Sequence, residues 1–475
     1  MASSADIAAH ARKFSYDPAG QLVQQVEPVA AGQTITTTNG YDTGGRKTRW
    51  TNGKNTPVYY TYNSLGLPES TVEPPTTAHP TAVEGLFTTS YDAAGRAVTL
   101  TEPGGVVRRR TYDGMGNLTQ ETATGAEVAT PNRTLGYDAA GRLISVGTPS
   151  TTPDTYTYND RNQLLTSAGP GGASSYSYNS DSRMTARKDA AGTTSFGYNA
   201  AGQLASTADP LTGTTVGYDY DAAGRLATER YGTGGGSRSY GYDNLGRLRD
   251  DTVKNPSGAT VASIGYGYDL NSRMTSKTTT GTAGATTGQY GYDLAGRLTS
   301  WNSGTSAASY TWDAAGNRTS AGGATSTFDE RNELLNDGTT MYTYSARGTL
   351  TGSAAQGSQP KDVQFDGFDR MAKEGPSTYT YDSTDRVAQS GNTAFTYDGG
   401  SNNLVTDGTA SYTRTPAGRL LGTAAAATPN PRLVISDQHT DVVATIDPAA
   451  KGVTGSTAYD PFGKPTASAG ATNSL

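Results

Sequence analysis

Most of the chain consists of short runs in which polar and apolar residues alternate, each closing on an aromatic. "TYTYND" from Thr155, "SYSYNS" from Ser175 and "TSFGYN" from Thr194 are examples. A period of two is the strand period, because successive side chains of an extended chain point to opposite faces. A turn-rich stretch follows each run, written "YDAAGRA" from Tyr91 and "YDAAGRL" from Tyr137 and Tyr220. The aromatic, the acid and the glycine recur too closely to leave the roughly 10 to 12 uninterrupted residues that a helix needs. The pattern predicts hairpin after hairpin.

Aligned on the aromatic, about 21 units run from Tyr16 to Tyr459. Most begin 20 to 26 residues after the one before as far as Trp312, and 16 or 17 is common beyond it. Then 45 residues separate Arg414, the one non-aromatic anchor, from Tyr459. The residue after the anchor is Asp or Asn in nearly every unit, a side chain that caps turns by bonding its own backbone two residues on. Four residues after the anchor stands Gly in 14 units, and Asn162, Ser182, Ser272, Asn332, Asp369, Asp385 or Ser401 in the others. Gly, then Asn and Asp, tolerate positive φ, so this column predicts the left-handed residue of a type I turn with a G1 bulge. Serine is the least comfortable residue there, and its units are expected to turn differently.

That turn places the anchor opposite the residue six positions on, which is apolar in most units, as at Leu164, Met184 and Leu226. A second aromatic often stands two residues before the anchor, as at Tyr156, Tyr176, Phe196 and Tyr218. A period of two puts these on one face, leaving the Asp after the anchor and the Arg four further on to share the other. Such exposed ion pairs contribute about 0.2 to 1 kcal/mol each and serve register more than stability. Opposite hairpin ends carry their own turn signals, such as Gly322 with Gly323 and Ser390 to Asn392. The expected fold is all-β: tandem β-hairpins in one long twisted meander sheet. Roughly 40 short strands cannot lie flat, since twist accumulates until a sheet coils or closes. With only 34% hydrophobic residues there is too little apolar side chain for two packed sheets, so a single layer spiralling into a hollow or partly open shell is expected.

Composition narrows the function. Of 475 residues 60 are Gly, yet 30 Tyr and a charged fraction of only 17% are the wrong signature for disorder. A net charge of −6 offers no footprint for nucleic acid and no polybasic membrane patch. The absence of Cys excludes disulfides and Cys-based zinc sites. "MASSADIAAHARK" has no apolar core of signal-peptide length, and no stretch approaches the roughly 18 apolar residues of a membrane helix.

Candidate chemistry is sparse. His10, His79 and His439 each stand alone, and only His439 in "SDQHTDVV", between Asp437 and Asp441, looks site-like; a polar loop is the simpler reading. The repeated acids are explained by turn capping, and their equivalence argues against catalysis, which needs one singular constellation. "RRR" at Arg108 to Arg110 reads as a solvated strand end, and "GTGGGS" at Gly232 to Ser237 as a flexible hairpin connection that lacks the lysine of a phosphate loop. The expectation is no enzyme, with no catalytic, cofactor-binding or metal-binding residue.

The "YDxxGRL" units, from about Phe14 to Leu421, resemble the RHS (rearrangement hot spot) family of YD-repeat proteins, and "LVISDQHTDVVATIDPAAKGVTGSTAYDPFGKP" is similar to the segment that precedes the core of its bacterial members. The resemblance implies a spiralling β-shell enclosing a C-terminal toxic segment, here without the self-cleaving core or the toxin. The domain expectation is a loosely attached N-terminus over 1–13, a hairpin array over 14–423 and a C-terminal shell segment over 424–475. The functional expectation is a non-enzymatic structural shell that encapsulates or presents a toxin-like polypeptide, secreted or at the cell surface, with no nucleic-acid partner and no membrane span. The alternative is an extracellular adhesion or carbohydrate-binding module whose partner is a cell-surface glycan.

Overall fold

A computed structural model describes residues 11–148, 152–427, 430–447 and 452–470. Residues 1–10, and with them His10 and most of the expected N-terminal segment, lie outside the described residues. The fold is all-β. Strands run from Lys13–Tyr16 to Pro465–Gly470 with antiparallel pairing between chain neighbours, and the one helical element among the described residues is a 3₁₀ turn at Ala82–Gly85.

The Tyr220 hairpin shows how the repeat folds. Tyr220 lies opposite Leu226, after a register shift between Asp219 and Tyr220. The Asp221 N–H donates to the Arg225 carbonyl and the Gly224 N–H to the Asp221 carbonyl, both at 2.9 Å. Asp221 Oδ1 accepts from the N–H groups of Ala223 and Arg225. Gly224 takes φ +77°, a region an L side chain rarely enters, which is why glycine dominates the column. The pairing of anchor with anchor+6 recurs, for instance as Tyr16 with Leu22, Tyr158 with Leu164 and Tyr459 with Pro465.

Two serines correct the expectation for that residue. Ser182 and Ser272 adopt φ 65° and 63° and close the ordinary turn; only the Ser401 unit departs, with Gly399 at φ 53° carrying the positive φ instead. Among the described residues four further copies of the turn have no aromatic anchor, at Thr51 opposite Pro57, Thr101 opposite Val107, Lys254 opposite Thr260 and Ser436 opposite Val442. The last fills the long gap between Arg414 and Tyr459.

Faces alternate along the strands. In Asp154–Tyr158 the side chains of Asp154 and Tyr156 are buried while Thr155 and Thr157 are exposed. Tyr176, Phe196, Tyr218, Tyr266 and Tyr310, each two residues before an anchor, are buried, whereas the anchors that follow these five are only half-buried. The opposite face is largely hydroxyl and glycine, with cross-strand pairs such as Thr157 with Thr166, Ser263 with Thr280 and Thr278 with Thr287.

The chain divides into two compact units, one of residues 1–135, 290–302 and 306–379, the other of 136–289, 303–305 and 380–475. In the first unit, turns of late hairpins dock on the far ends of early ones. The Arg331 guanidinium donates to the carbonyls of Pro74 and Glu84, both at 2.9 Å, and the Gly367 N–H to Thr130 Oγ1. In the second unit the same docking adds an apolar core, in which Val216, Tyr218, Val253, Ile264 and Tyr266 of early hairpins pack with Leu421, Leu433, Ile435, Val443 and Ile446 of late ones.

Candidate functional site

The arrangement that recurs among the described residues is a ladder. Where a unit carries both, the turn Asp receives the guanidinium of its own unit's Arg, as Asp221 does from Arg225 Nε at 2.7 Å and Asp243 from Arg247 Nε at 2.7 Å. Held in this way, the guanidinium lies over the anchor ring of the next unit. Arg225 stands 4.4 Å from the Tyr242 centroid, Arg247 4.6 Å from Tyr268, Arg96 4.8 Å from Tyr112 and Arg297 5.9 Å from Trp312. The anchor hydroxyl completes the link by donating to the anchor+6 carbonyl of the preceding unit: Tyr220 to Leu204, Tyr242 to Leu226 and Tyr268 to Leu248, at 2.7 to 2.8 Å. Trp312 substitutes its indole N–H, bonding Leu298 at 2.8 Å. Arg therefore does not merely share an exposed face with Asp, as the period of two suggested: it is the packing piece between one hairpin and the next.

The left-handed column also reaches backwards where it is not glycine. Asn162 Oδ1 accepts from Arg142, Ser272 Oγ from Arg247 and Asn332 Oδ1 from Asn317, each donor belonging to the preceding unit.

Electrostatics follow from this geometry. Hydrogen bonds from the backbone N–H of the unit's own Arg, and then from its side chain, hold the carboxyls of Asp42, Asp92 and Asp221 below the usual carboxylate range. Burial acts the other way on the aromatic row, pushing the Tyr156 hydroxyl up to about 12 and raising Tyr176 and Tyr266. Burial also raises the carboxyls of Glu73, Glu102, Asp154 and Asp189, which lie where hairpins dock.

The described residues among those singled out from sequence are placed as follows. His79 lies in the first unit, its Nε2 3.1 Å from the Tyr344 carbonyl and its Nδ1 3.6 Å from Glu84. His439 lies in the second, exposed at the tip of the Ser436 turn with Nδ1 3.2 Å from Asp441. Arg108 and Arg110 are not a solvated end: Arg108 pairs with Glu102 and Asp369, and Arg110 with Glu121. Gly232 to Ser237 form a hairpin connection, with the Tyr231 N–H donating to the Gly236 carbonyl. Among the described residues no group of three or more His, Asp or Glu side chains is placed to hold a metal ion, and no helix is long and apolar enough to cross a membrane.

A family model described as the teneurin YD-shell matches residues 5–188, 108–250 and 237–356. Among solved structures, the crystal structure of TcdB2-TccC3 is similar at 15% identity and TM-score 0.72, over 98% of this chain and 29% of that one. A form of TcdB2-TccC3 without its hypervariable C-terminal region gives TM-score 0.72 over 97% of this chain. The Tc holotoxin pore of Photorhabdus luminescens gives 0.67 at 14% identity. The chain spans less than a third of the length of these solved chains, 28 to 29%. A comparison with curated proteins returned no match. The likeness is one of fold: the same hairpin wall over nearly the whole of this chain.

Proposed function

We propose, from the premise that this chain belongs to the teneurin YD-shell family of YD-repeat proteins, that it is a non-enzymatic wall which encloses a polypeptide, toxin-like in kind, and keeps it from solvent and targets. That it is a shell-type structural module follows from the family match and the fold. The observation supporting enclosure is the chemistry of the two faces. Most aromatic and aliphatic side chains of the strands are spent in joining hairpins, and the other face is largely threonine, serine and glycine, as at Thr155, Thr157, Ser177 and Gly197, with Tyr59 and Met341 among its exposed apolar exceptions. Such a face gives an unfolded guest little apolar surface to adhere to, so confinement rather than affinity does the holding. Placement outside the cell, secreted or at its surface, is part of the same reading, since the Tc relatives are toxin components.

The glycan-binding alternative has less support, because the anchor rings a sugar would stack on lie under guanidinium groups and spend their hydroxyls on neighbouring carbonyls. The test is protection. An unstructured polypeptide fused after Leu475 should resist added protease while the wall is intact and be cleaved once the wall is unfolded. Cleavage at the same rate as the free peptide, with the wall still folded, would refute enclosure.

A further inference from the structure

A wall of near-equivalent units has a register problem. Wherever late hairpins dock on early ones, a slip by one unit would set the same kinds of ring and aliphatic against each other, so apolar contact alone does not choose the register. The second unit holds a column that does. The residue nine positions after each anchor lies opposite the buried aromatic two positions before it, as Arg187 opposite Tyr176, Glu229 opposite Tyr218 and Lys277 opposite Tyr266. Unlike the rest of the repeat it differs from unit to unit, reading Arg187, Thr207, Glu229, Asp251 and Lys277 from the Tyr178 unit to the Tyr268 unit. The first four are buried, and the Lys277 side chain is 17% exposed.

The charged members meet opposite charges on the docked turns. Arg187 donates to Asp398 at 2.8 Å; it also touches Asp189 at 3.1 Å and bonds the Arg414 carbonyl. Glu229 makes an ion contact with Arg419 at 2.6 Å, short of hydrogen-bond geometry at Oε1, and accepts from the Tyr231 hydroxyl. Lys277 pairs with Asp437. Asp251 is neutralised within its own layer by Arg238, which also donates to the Ser436 carbonyl. The charges that reach across from the early layer read plus, minus, plus, Arg187 doing so while also bonding Asp189 of its own hairpin; their partners on the late turns read minus, plus, minus.

We infer that this anchor+9 column is an address that sets which late turn docks on which early hairpin. The charged late turns meet every second early hairpin. A slip by one early hairpin sets Arg419 against Thr207 or Asp251 and strips Glu229 of its cation, whereas a slip by one late turn brings Arg419 against Arg187 or Lys277, and Asp398 or Asp437 against Glu229. Each contact of the second kind would be a like-charge contact in a buried place, where the cost is highest. Buried charge of this kind contributes little net stability, and its best-attested use is choosing one register over another.

The test uses the full chain, which has no cysteine of its own. The Ala283 N–H donates to Ser456 Oγ at 2.8 Å, so A283C with S456C places a disulfide reporter on the docked layers beyond the column. In the native register the reporter should close under mild oxidation. Glu229→Arg should lower its yield at least fivefold, and adding Arg419→Glu should restore it to within about twofold, by the complementarity of the pair. Thr207→Val, in the same column but uncharged, should leave it unchanged. Hydrogen exchange at Tyr218 to Leu226 reports whether the early hairpin is still folded. An unchanged yield in Glu229→Arg overturns the inference, and so does a reversed pair that fails to recover while that hairpin keeps its protection. If Glu229→Arg is insoluble, recovery of soluble, cross-linkable chain by the second reversal supports the address, and continued insolubility overturns it.

Discussion

Replacing Tyr242 by Phe tests the ladder with the least disturbance. The variant keeps the ring and the Arg225 guanidinium 4.4 Å from its centroid, and deletes one hydrogen bond, from the hydroxyl to the Leu226 carbonyl at 2.8 Å. The main-chain ladder between these two hairpins joins Thr228 to Ser239, Glu229 to Arg238 and Arg230 to Ser237. Toward the turns the hydroxyl and the Arg225–ring contact are therefore what span them. A net loss of about 1 kcal/mol is expected, within the 0.5 to 1.5 typical of an intramolecular bond. At 25 °C that is about a fivefold rise in the opening equilibrium. Global unfolding is a poor assay, because a long repeat array need not unfold in one step. Amide exchange at Thr228 and Ser239 under native conditions reads the junction directly. Both should exchange about fivefold faster, while amides of the Tyr158 hairpin, several units away, stay unchanged. Tyr242→Leu removes the cation–π contact as well and should add about 0.5 to 1 kcal/mol. Exchange unaltered in the Phe variant, or equal losses in Phe and Leu, would refute the division of labour between hydroxyl and ring.

Two more predictions follow from charge. Asp42, Asp92 and Asp221 have folded pKa values depressed by N–H and Arg bonds, so what they contribute is present above the unfolded carboxylate pKa of about 4 and lost as pH falls through the depressed values. Glu73, Glu102, Asp154 and Asp189 are raised by burial, so their contribution is complete below that pKa and lost as pH rises through the raised values. Thermal stability should accordingly peak on the mildly acidic side of neutrality and fall below about pH 4, and a monotonic rise from pH 3 to pH 8 would contradict it. Arg238 and Asp251 form a buried two-bond pair, so Arg238→Ala should cost about 3 to 5 kcal/mol by stranding the carboxylate. Arg238→Met with Asp251→Leu should cost much less, which exchange at Glu229 and Arg238 would show.

Most of the hairpin was legible in the sequence because its determinants are local. The turn acid, the left-handed residue four after the anchor and the apolar residue six after it act within a handful of positions, so the Tyr220 turn could be inferred from "YDAAGRL" alone. The Thr51, Thr101, Lys254 and Ser436 turns escaped because they keep the backbone conformation without the aromatic that marks it. The second neighbour of Arg225 escapes for a related reason: spacing shows its own Asp, which it bonds, but not the ring of the next hairpin.

What the sequence determined by itself is a β-hairpin wall, since a period of two and a positive-φ residue at a fixed offset leave the backbone few other courses. What only the tertiary structure decided is which hairpin lies on which. Arg187 and Asp398 are 211 residues apart in the chain, and Lys277 and Asp437 are 160 apart. No periodicity links such pairs, because the repeat that makes each unit predictable makes all of them alike. The choice among them falls to the few buried charges that break the repeat.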